Sequence, residues 1–248
     1  MNDVKNSVAV QSWSFRAFKT LPQLIQQLKA VGAAGTELCG VHADFNDESK
    51  FEAVIAQFTA ANLKIVSIGV EGFGGDEAAF EKRCKFLKAA GAKRMSVSFG
   101  LDNHLEAIKA IEKYAEKYDI YCGIHNHGGY DWLGSRSALA YVFKNSGKRL
   151  GLEMDAAWCM QAGEKPLEMA EQFIDRLYGV HYKDFIFDRS GQGHDTVVGE
   201  GNLQLAKLVE LVKTKAPAGC VSVIEYEADE ANPGPAIKRC VEAITSVA

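Results

Sequence analysis

Apolar and polar positions along this chain follow two rhythms that take turns about every 30 residues. Eight short runs rich in β-branched and apolar residues read as strands: VAVQSWS (8–14), GTELCGV (35–41), KIVSIGV (64–70), RMSVSFG (94–100), IYCGIHN (120–126), LGLEMDA (150–156), LYGVHYK (177–183) and CVSVIEY (220–226). Between them apolar residues return at i, i+3, i+4 and i+7, as in Leu21, Leu24, Ile25 and Leu28, which predicts amphipathic helices over 21–28, 51–58, 80–90, 105–118 and 203–212. Gly32 and Gly91 stand where two of these helices should end in a glycine cap. Eight strand-plus-helix units predict an α/β fold, a single (β/α)8 TIM barrel over residues 1–248. A doubly wound sheet would carry a glycine-rich phosphate turn after its first strand, where this chain reads SWSFRAF instead. The seventh interval is irregular. Its polar, glycine-rich segment FIFDRSGQGHDTVVGEGN (185–202) reads as a long loop that closes over a substrate as a lid.

Composition narrows the function classes. The 248 residues are 47% hydrophobic, enough for the core of one α/β barrel domain. The formal net charge of -4 supplies no basic footprint for nucleic acid, so no nucleic-acid partner is expected. No apolar run reaches the roughly 18 to 20 residues of a membrane helix, and the polar start MNDVKN leads straight into a strand-like segment. A cytoplasmic protein without a membrane partner is the expectation, with homo-oligomerisation left open. Cys39, Cys84, Cys122, Cys159, Cys220 and Cys240 form no CxxC pair and read as reduced thiols.

The chemistry sits at the strand ends. GIHNHGG (123–129), GLEMDAAW (151–158), GVHYKDF (179–185) and VIEYEAD (223–229) each finish an apolar run with metal-binding or proton-carrying side chains. In a parallel barrel these ends share one face, where the following loops assemble the site. Glu225 leads the candidates, because a carboxylate in the apolar VSVIEYE context calls for a compensating cation, either a metal or a basic side chain. Glu227 has the same strand parity. Asp155 and His181 add a carboxylate and an imidazole, a mixture that suits one divalent ion such as manganese, magnesium, cobalt or zinc.

His125 and His127 alternate on the fifth strand, so both face inward, one toward metal and one toward substrate, or both as donors that hold carboxylates. Lys183 shares the strand face of His181 and either stabilises an enolate oxygen, orients a sugar hydroxyl or pairs with a carboxylate. Glu37, at the end of the second strand, is a candidate base or hydroxyl acceptor, with an outward, solvated side chain as the alternative. Trp13, Phe15, Trp132 and Trp158 fit an apolar wall against the carbon face of a sugar as well as they fit core packing. Arg16 is a candidate contact to an anionic substrate.

Taken in order, Glu37, HNH (125–127), MDAAW (154–158), VHYKD (180–184), VGEGN (198–202) and IEYE (224–227) resemble the xylose isomerase-like TIM-barrel superfamily, in its sugar phosphate isomerase/epimerase group, over nearly the whole chain. In sugar epimerases of that superfamily a Glu, an Asp, a His and a final Glu hold one divalent metal, and the two glutamates exchange protons with substrate. The resemblance puts Asp155, His181 and Glu225 on the last three positions and His125 where the first Glu would be. An imidazole there can still hold metal, but a symmetric two-glutamate exchange is no longer implied. The HNH form instead resembles branches that include inosose dehydratase-like proteins.

The resemblance thus implies a carbohydrate-acting enzyme that removes a proton next to a carbonyl. Isomerisation or epimerisation leads, with dehydration of a keto sugar or cyclitol as the alternative and a non-catalytic sugar-binding barrel as a third reading. Endonuclease IV, the DNA-repair branch, needs three zinc ions and a DNA-binding surface, which an acidic chain with six histidines does not offer.

Overall fold

The computed structural model describes residues 1–248. Its strands are β1 (Ala9–Gln11), β2 (Gly35–Leu38), β3 (Lys64–Phe73), β4 (Arg94–Phe99), β5 (Tyr121–His125), β6 (Leu150–Asp155), β7 (Leu177–Tyr182), β8 (Asp184–Phe187), β9 (Gly193–Thr196) and β10 (Val221–Ile224). All but β8 and β9 close into one barrel in the order β1-β10-β7-β6-β5-β4-β3-β2, every neighbouring pair parallel. The α/β TIM barrel read from the apolar rhythm is therefore the fold. β6 (LGLEMD) and β7 (LYGVHY) are buried at every residue, as strands are when helices cover their outside and neighbouring strands face them across the interior.

Helices α1 (Leu21–Ala30), α2 (Phe51–Ala60), α3 (Glu77–Ala90), α4 (His104–Tyr118), α5 (Arg136–Lys144), α6 (Ala156–Gln161), α7 (Pro166–Gln172), α8 (Leu205–Lys215) and α9 (Gly234–Val247) surround the barrel. The five helices expected from periodicity are α1 to α4 and α8. The sequence also marks where α1 begins. Thr20 and Gln23 form a reciprocal capping box, and Pro22 lies in the first turn, where its missing N–H costs nothing. Gly32 and Gly91 follow α1 and α3 with φ of 77° and 71°, a left-handed backbone that a β-carbon would penalise. No helix is long and apolar enough to cross a membrane, and all six cysteines are buried, unpaired thiols.

Two features depart from the sequence expectation. β1 stops at Gln11 because its side chain accepts the Trp13 N–H and turns Ser12–Phe15 into a 3-10 helix, so Trp13 swings to the barrel rim. The seventh connection, read as an open loop, is an ordered ribbon: β8 and β9 pair antiparallel, with Phe185 opposite Asp195. Beyond the ribbon, the carboxylate of Asp184 accepts the backbone N–H groups of Gly199, Gly201, Asn202 and Leu203 at 2.8–3.0 Å. Residues 199–203 are thus tied to the end of β7.

Asp184→Ala is expected to orphan these four donors and to destabilise the fold by about 3 kcal/mol or more, since hydrogen bonds to charged groups contribute roughly 1.5–3 kcal/mol each. Hydrogen exchange should then accelerate at Gly199, Gly201 and Asn202. Unchanged protection there would show that the carboxylate does not hold the segment.

Candidate functional site

Four side chains from neighbouring strands converge at the carboxyl end of the barrel. His125 closes β5, Asp155 closes β6, His181 lies in β7 and Glu225 follows β10. All four are buried, and one ligand atom from each falls within a 4.8 Å cluster. His125 Nε2 stands 3.0 Å from His181 Nδ1, 3.7 Å from Asp155 Oδ2 and 3.8 Å from Glu225 Oε2, while His181 Nδ1 is 3.4 Å from Glu225 Oε2. Ligands placed tetrahedrally about 2.1 Å from a divalent ion lie about 3.4 Å from one another, so this spacing fits a single cation.

The hydrogen bonding points the same way. Asp155 Oδ1 caps α6 by accepting the Trp158 N–H at 2.7 Å, but its Oδ2 is buried without a partner. Burial pushes the Asp155 carboxyl up to about 8, against the pull of Lys183. Burial also lowers His125 to about 4, leaving it a neutral donor of a lone pair. Asn126, between the two histidines, exchanges hydrogen bonds with the backbone of Asp155 at 3.0 and 3.1 Å and so locks the ends of β5 and β6 together.

Above the cluster opens a cavity of about 520 Å³ whose wall includes His127, Trp13, Trp158, Glu225, Glu227 and the polar side chain of Gln11. A larger concavity of about 1000 Å³ lies at the opposite end of the barrel. Its lining holds no carboxylate, histidine or cysteine, so the chemistry belongs to the smaller one. Lys183 is 1% exposed and sits behind the Glu225 and Glu227 carboxylates that line the cavity. Its Nζ is 3.4 Å from Glu225 Oε2, contacts Glu227 Oε2, and lies over the Trp158 ring at 5.4 Å. Burial opposes its charge, yet Glu225, Asp155, Asp195 and Glu227 outweigh that and hold the ammonium above the ordinary lysine range.

Of the remaining sequence candidates, Trp13 and Trp158 stand on the cavity wall, with Trp13 Nε1 donating to Glu227 Oε1 at 2.9 Å. Arg16 is not on that wall. Its guanidinium is committed to Glu230 at 3.3 Å and to the carbonyls of Trp13 and Glu227. Phe15 is core, and Trp132 donates to the Phe99 carbonyl away from the cavity.

Glu37 needs the clearest correction. Expected at the mouth as a base, it lies beneath the four-residue cluster, fully buried and off the cavity wall. Gln11 Nε2, Ser67 Oγ and His181 Nε2 occupy its oxygens at 2.7, 2.5 and 3.0 Å.

Sequence reading passed over two carboxylates. Glu153, two residues before Asp155, shares its inward parity and sits in the layer below, where the backbones of Gly123 and Gly179 on the flanking strands leave room for it. Asp195 arrives from β9. Its Oδ2 accepts the Glu227 N–H at 3.2 Å, its Oδ1 is buried without a partner, and burial pushes it up to about 6. The parity of Glu153 was a usable signal; nothing local marks Asp195.

A barrel with polar and charged residues gathered at the carboxyl ends of its strands defines a class of small-molecule sites. Residues 25–246 match the family described as xylose isomerase-like TIM barrel, and the chain belongs to it, as its motif order suggested. Over 177 residues it is 24% identical to the 3-oxo-isoapionate decarboxylase of Pectobacterium atrosepticum, an alignment that takes in 68% of this chain and 62% of that enzyme's length. A sugar phosphate isomerase/epimerase from Parabacteroides distasonis superposes with a TM-score of 0.74 at 14% identity, over 97% of this chain and 94% of its own. The IolI protein, whose crystal structure carries a zinc atom, superposes with a TM-score of 0.75 at 12% identity, over 97% of each chain. These two likenesses concern the fold.

Proposed function

We propose that the protein is a metal-dependent isomerase or epimerase that acts on a small keto or aldo sugar by proton abstraction next to the carbonyl. The observation that carries this reading is the placement of two proton carriers around one buried ligand cluster. His127 follows β5 and Glu227 follows β10, three strands apart in a ring of eight, and both reach the cavity wall. Groups so placed approach a bound sugar from different sides, so one can take a proton and the other can return one. Burial keeps the His127 imidazole toward its neutral, proton-accepting form.

A divalent cation held by His125, Asp155, His181 and Glu225 would act as a Lewis acid toward carbonyl and hydroxyl oxygens of the substrate. Two imidazoles and two carboxylates suit zinc, manganese or cobalt better than magnesium, which prefers an oxygen and water shell. The ammonium of Lys183 lies beside the same cluster, where it would stabilise the enolate oxygen that develops as the proton leaves. Trp13 and Trp158 would stack on the carbon face of the sugar and exclude water.

The expected result is solvent deuterium entering a keto sugar at the carbon next to its carbonyl when it is incubated in D2O with metal-loaded protein. NMR and mass spectrometry follow the label. His127→Ala and Glu227→Gln should each slow exchange by about 100-fold, the usual contribution of a positioned acid or base. A second reading, a lyase that forms the same enolate, is favoured by His125 standing where an epimerase would have the first of its two glutamates, and it is in keeping with the decarboxylase relative. It predicts a product lighter by water or carbon dioxide. Turnover of a confirmed substrate by hydride transfer, or a full panel of keto sugars with no exchange and no product, would overturn the proposal.

A further inference from the structure

His181 does two jobs with its two ring nitrogens. Nδ1 faces the ligand cluster, 3.0 Å from His125 Nε2 and 3.4 Å from Glu225 Oε2. Nε2 faces downward, hydrogen-bonded to Glu37 Oε1 at 3.0 Å, with Glu153 Oε1 close at 3.3 Å but not hydrogen-bonded. Both carboxylates are buried to 1% exposure or less and lie off the cavity wall, so neither meets substrate. His125 has no such support, since its Nδ1 is buried without any partner.

We propose that Glu37, seconded by Glu153, is a positioning residue that fixes the tautomer and ring angle of His181 and thereby sets the protein's affinity for its cation. To donate to Glu37, Nε2 must carry the hydrogen. In the neutral ring the lone pair is then on Nδ1, pointed at the cluster. Glu37 is itself immobilised from above and from the side. Gln11 donates to it at 2.7 Å and to the Gly69 carbonyl at 2.9 Å, while Ser67 donates to its second oxygen at 2.5 Å. Gln11 also accepts the Trp13 N–H at 3.1 Å, so the brace runs from the cavity rim to the underside of the ligand cluster. A carboxylate that only filled space would not need three donors, one of them a ligand ring.

This inference rests on the metal-dependent reading, and its test separates the two. Zinc affinity is measured by competition with a chromophoric chelator on wild type, Glu37→Gln and Glu153→Gln, together with the melting temperature of each metal-free protein. Glu37→Gln is expected to weaken zinc by about 10- to 100-fold, the usual cost of losing a carboxylate behind a ligating histidine. The metal-free Glu37→Gln protein should melt somewhat below the wild-type temperature, because the Gln11, Ser67 and His181 donors lose a charged acceptor, so affinity is read on the folded protein.

A residue that merely held the fold would lower the melting temperature and leave the zinc affinity of the folded protein unchanged. Glu153→Gln, whose oxygen stands farther from Nε2, is expected to weaken zinc by about 3- to 10-fold, and it carries the test should Glu37→Gln not fold. Affinities of the folded variants within twofold of wild type would overturn the brace while leaving the metal reading intact. Wild-type protein that takes up neither zinc nor manganese would overturn both.

Discussion

Asp155→Asn is expected to cost the protein its cation while leaving it folded. The substitution keeps the oxygen that accepts the Trp158 N–H at 2.7 Å and caps α6, and it turns the partnerless Oδ2 into an amide nitrogen that cannot ligate. Four-ligand structural zinc sites bind with about 10–16 kcal/mol, so one ligand accounts for roughly 2.5–4 kcal/mol. The expected loss of affinity is therefore about two to three orders of magnitude. Metal-free Asp155→Asn should be at least as stable as wild type, because the buried carboxyl that sits uneasily among Glu225 and its neighbours becomes neutral. Asp155→Ala should lose the cation equally and also the helix cap, a further cost of about 1 kcal/mol. Elemental analysis and calorimetry with zinc and manganese decide the matter. A wild-type stoichiometry and affinity in Asp155→Asn would remove this cluster as the metal centre.

The contrast between Asp155 and Glu37 shows how far a sequence of this kind can be read. Strand parity separates inward from outward positions, and His125, Asp155, His181 and Glu225 all point into the barrel as their spacing required. Parity does not report depth. Strands of a barrel are staggered, so Glu37, three residues into β2, shares the inward direction of the ligands but lies a layer below them. Glu153 belongs to that lower layer for the same reason. What makes room for it is the absence of side chains at Gly123 and Gly179, a long-range condition that no local window contains.

The β8–β9 ribbon was illegible in another way. Its second strand, GHDT, is polar and partly exposed, so its pairing is fixed by backbone hydrogen bonds and by Asp184 rather than by an apolar pattern. Arg16 and Lys183 were both cation candidates by sequence, Lys183 the better supported because it shares the strand face of His181. The structure separates them because the ribbon and the chain after β10 surround Lys183 with carboxylates beside the ligands, whereas Glu230 draws Arg16 to the rim.

Lys183→Met should leave the cation in place and remove most of the turnover. Methionine matches the length and flexibility of the lysine side chain, whose Nζ lies over the Trp158 and Phe185 rings, so packing is largely kept, and what disappears is one positive charge behind the Glu225 and Glu227 carboxylates. That charge stands 3.4 Å from Glu225 Oε2, beside the position where the proposed reaction would develop negative charge on oxygen. Removing a preorganised donor of this kind costs about 10²- to 10³-fold in kcat, with a smaller effect on KM if the charge acts mainly in the transition state.

Zinc or manganese affinity should hold or rise, by less than about tenfold, since Lys183 is not a ligand and both the loss of its repulsion and the release of Glu225 from its ion pair favour the cation. Lys183→Arg is not expected to rescue the activity, because the planar guanidinium is broader than the ammonium and cannot occupy the same point between Glu225 and Glu227. Steady-state kinetics on metal-saturated enzyme, with a substrate identified by deuterium exchange, provide the measurement. A kcat within fivefold of wild type for Lys183→Met would show that the ammonium only neutralises its carboxylate neighbours and takes no part in the reaction.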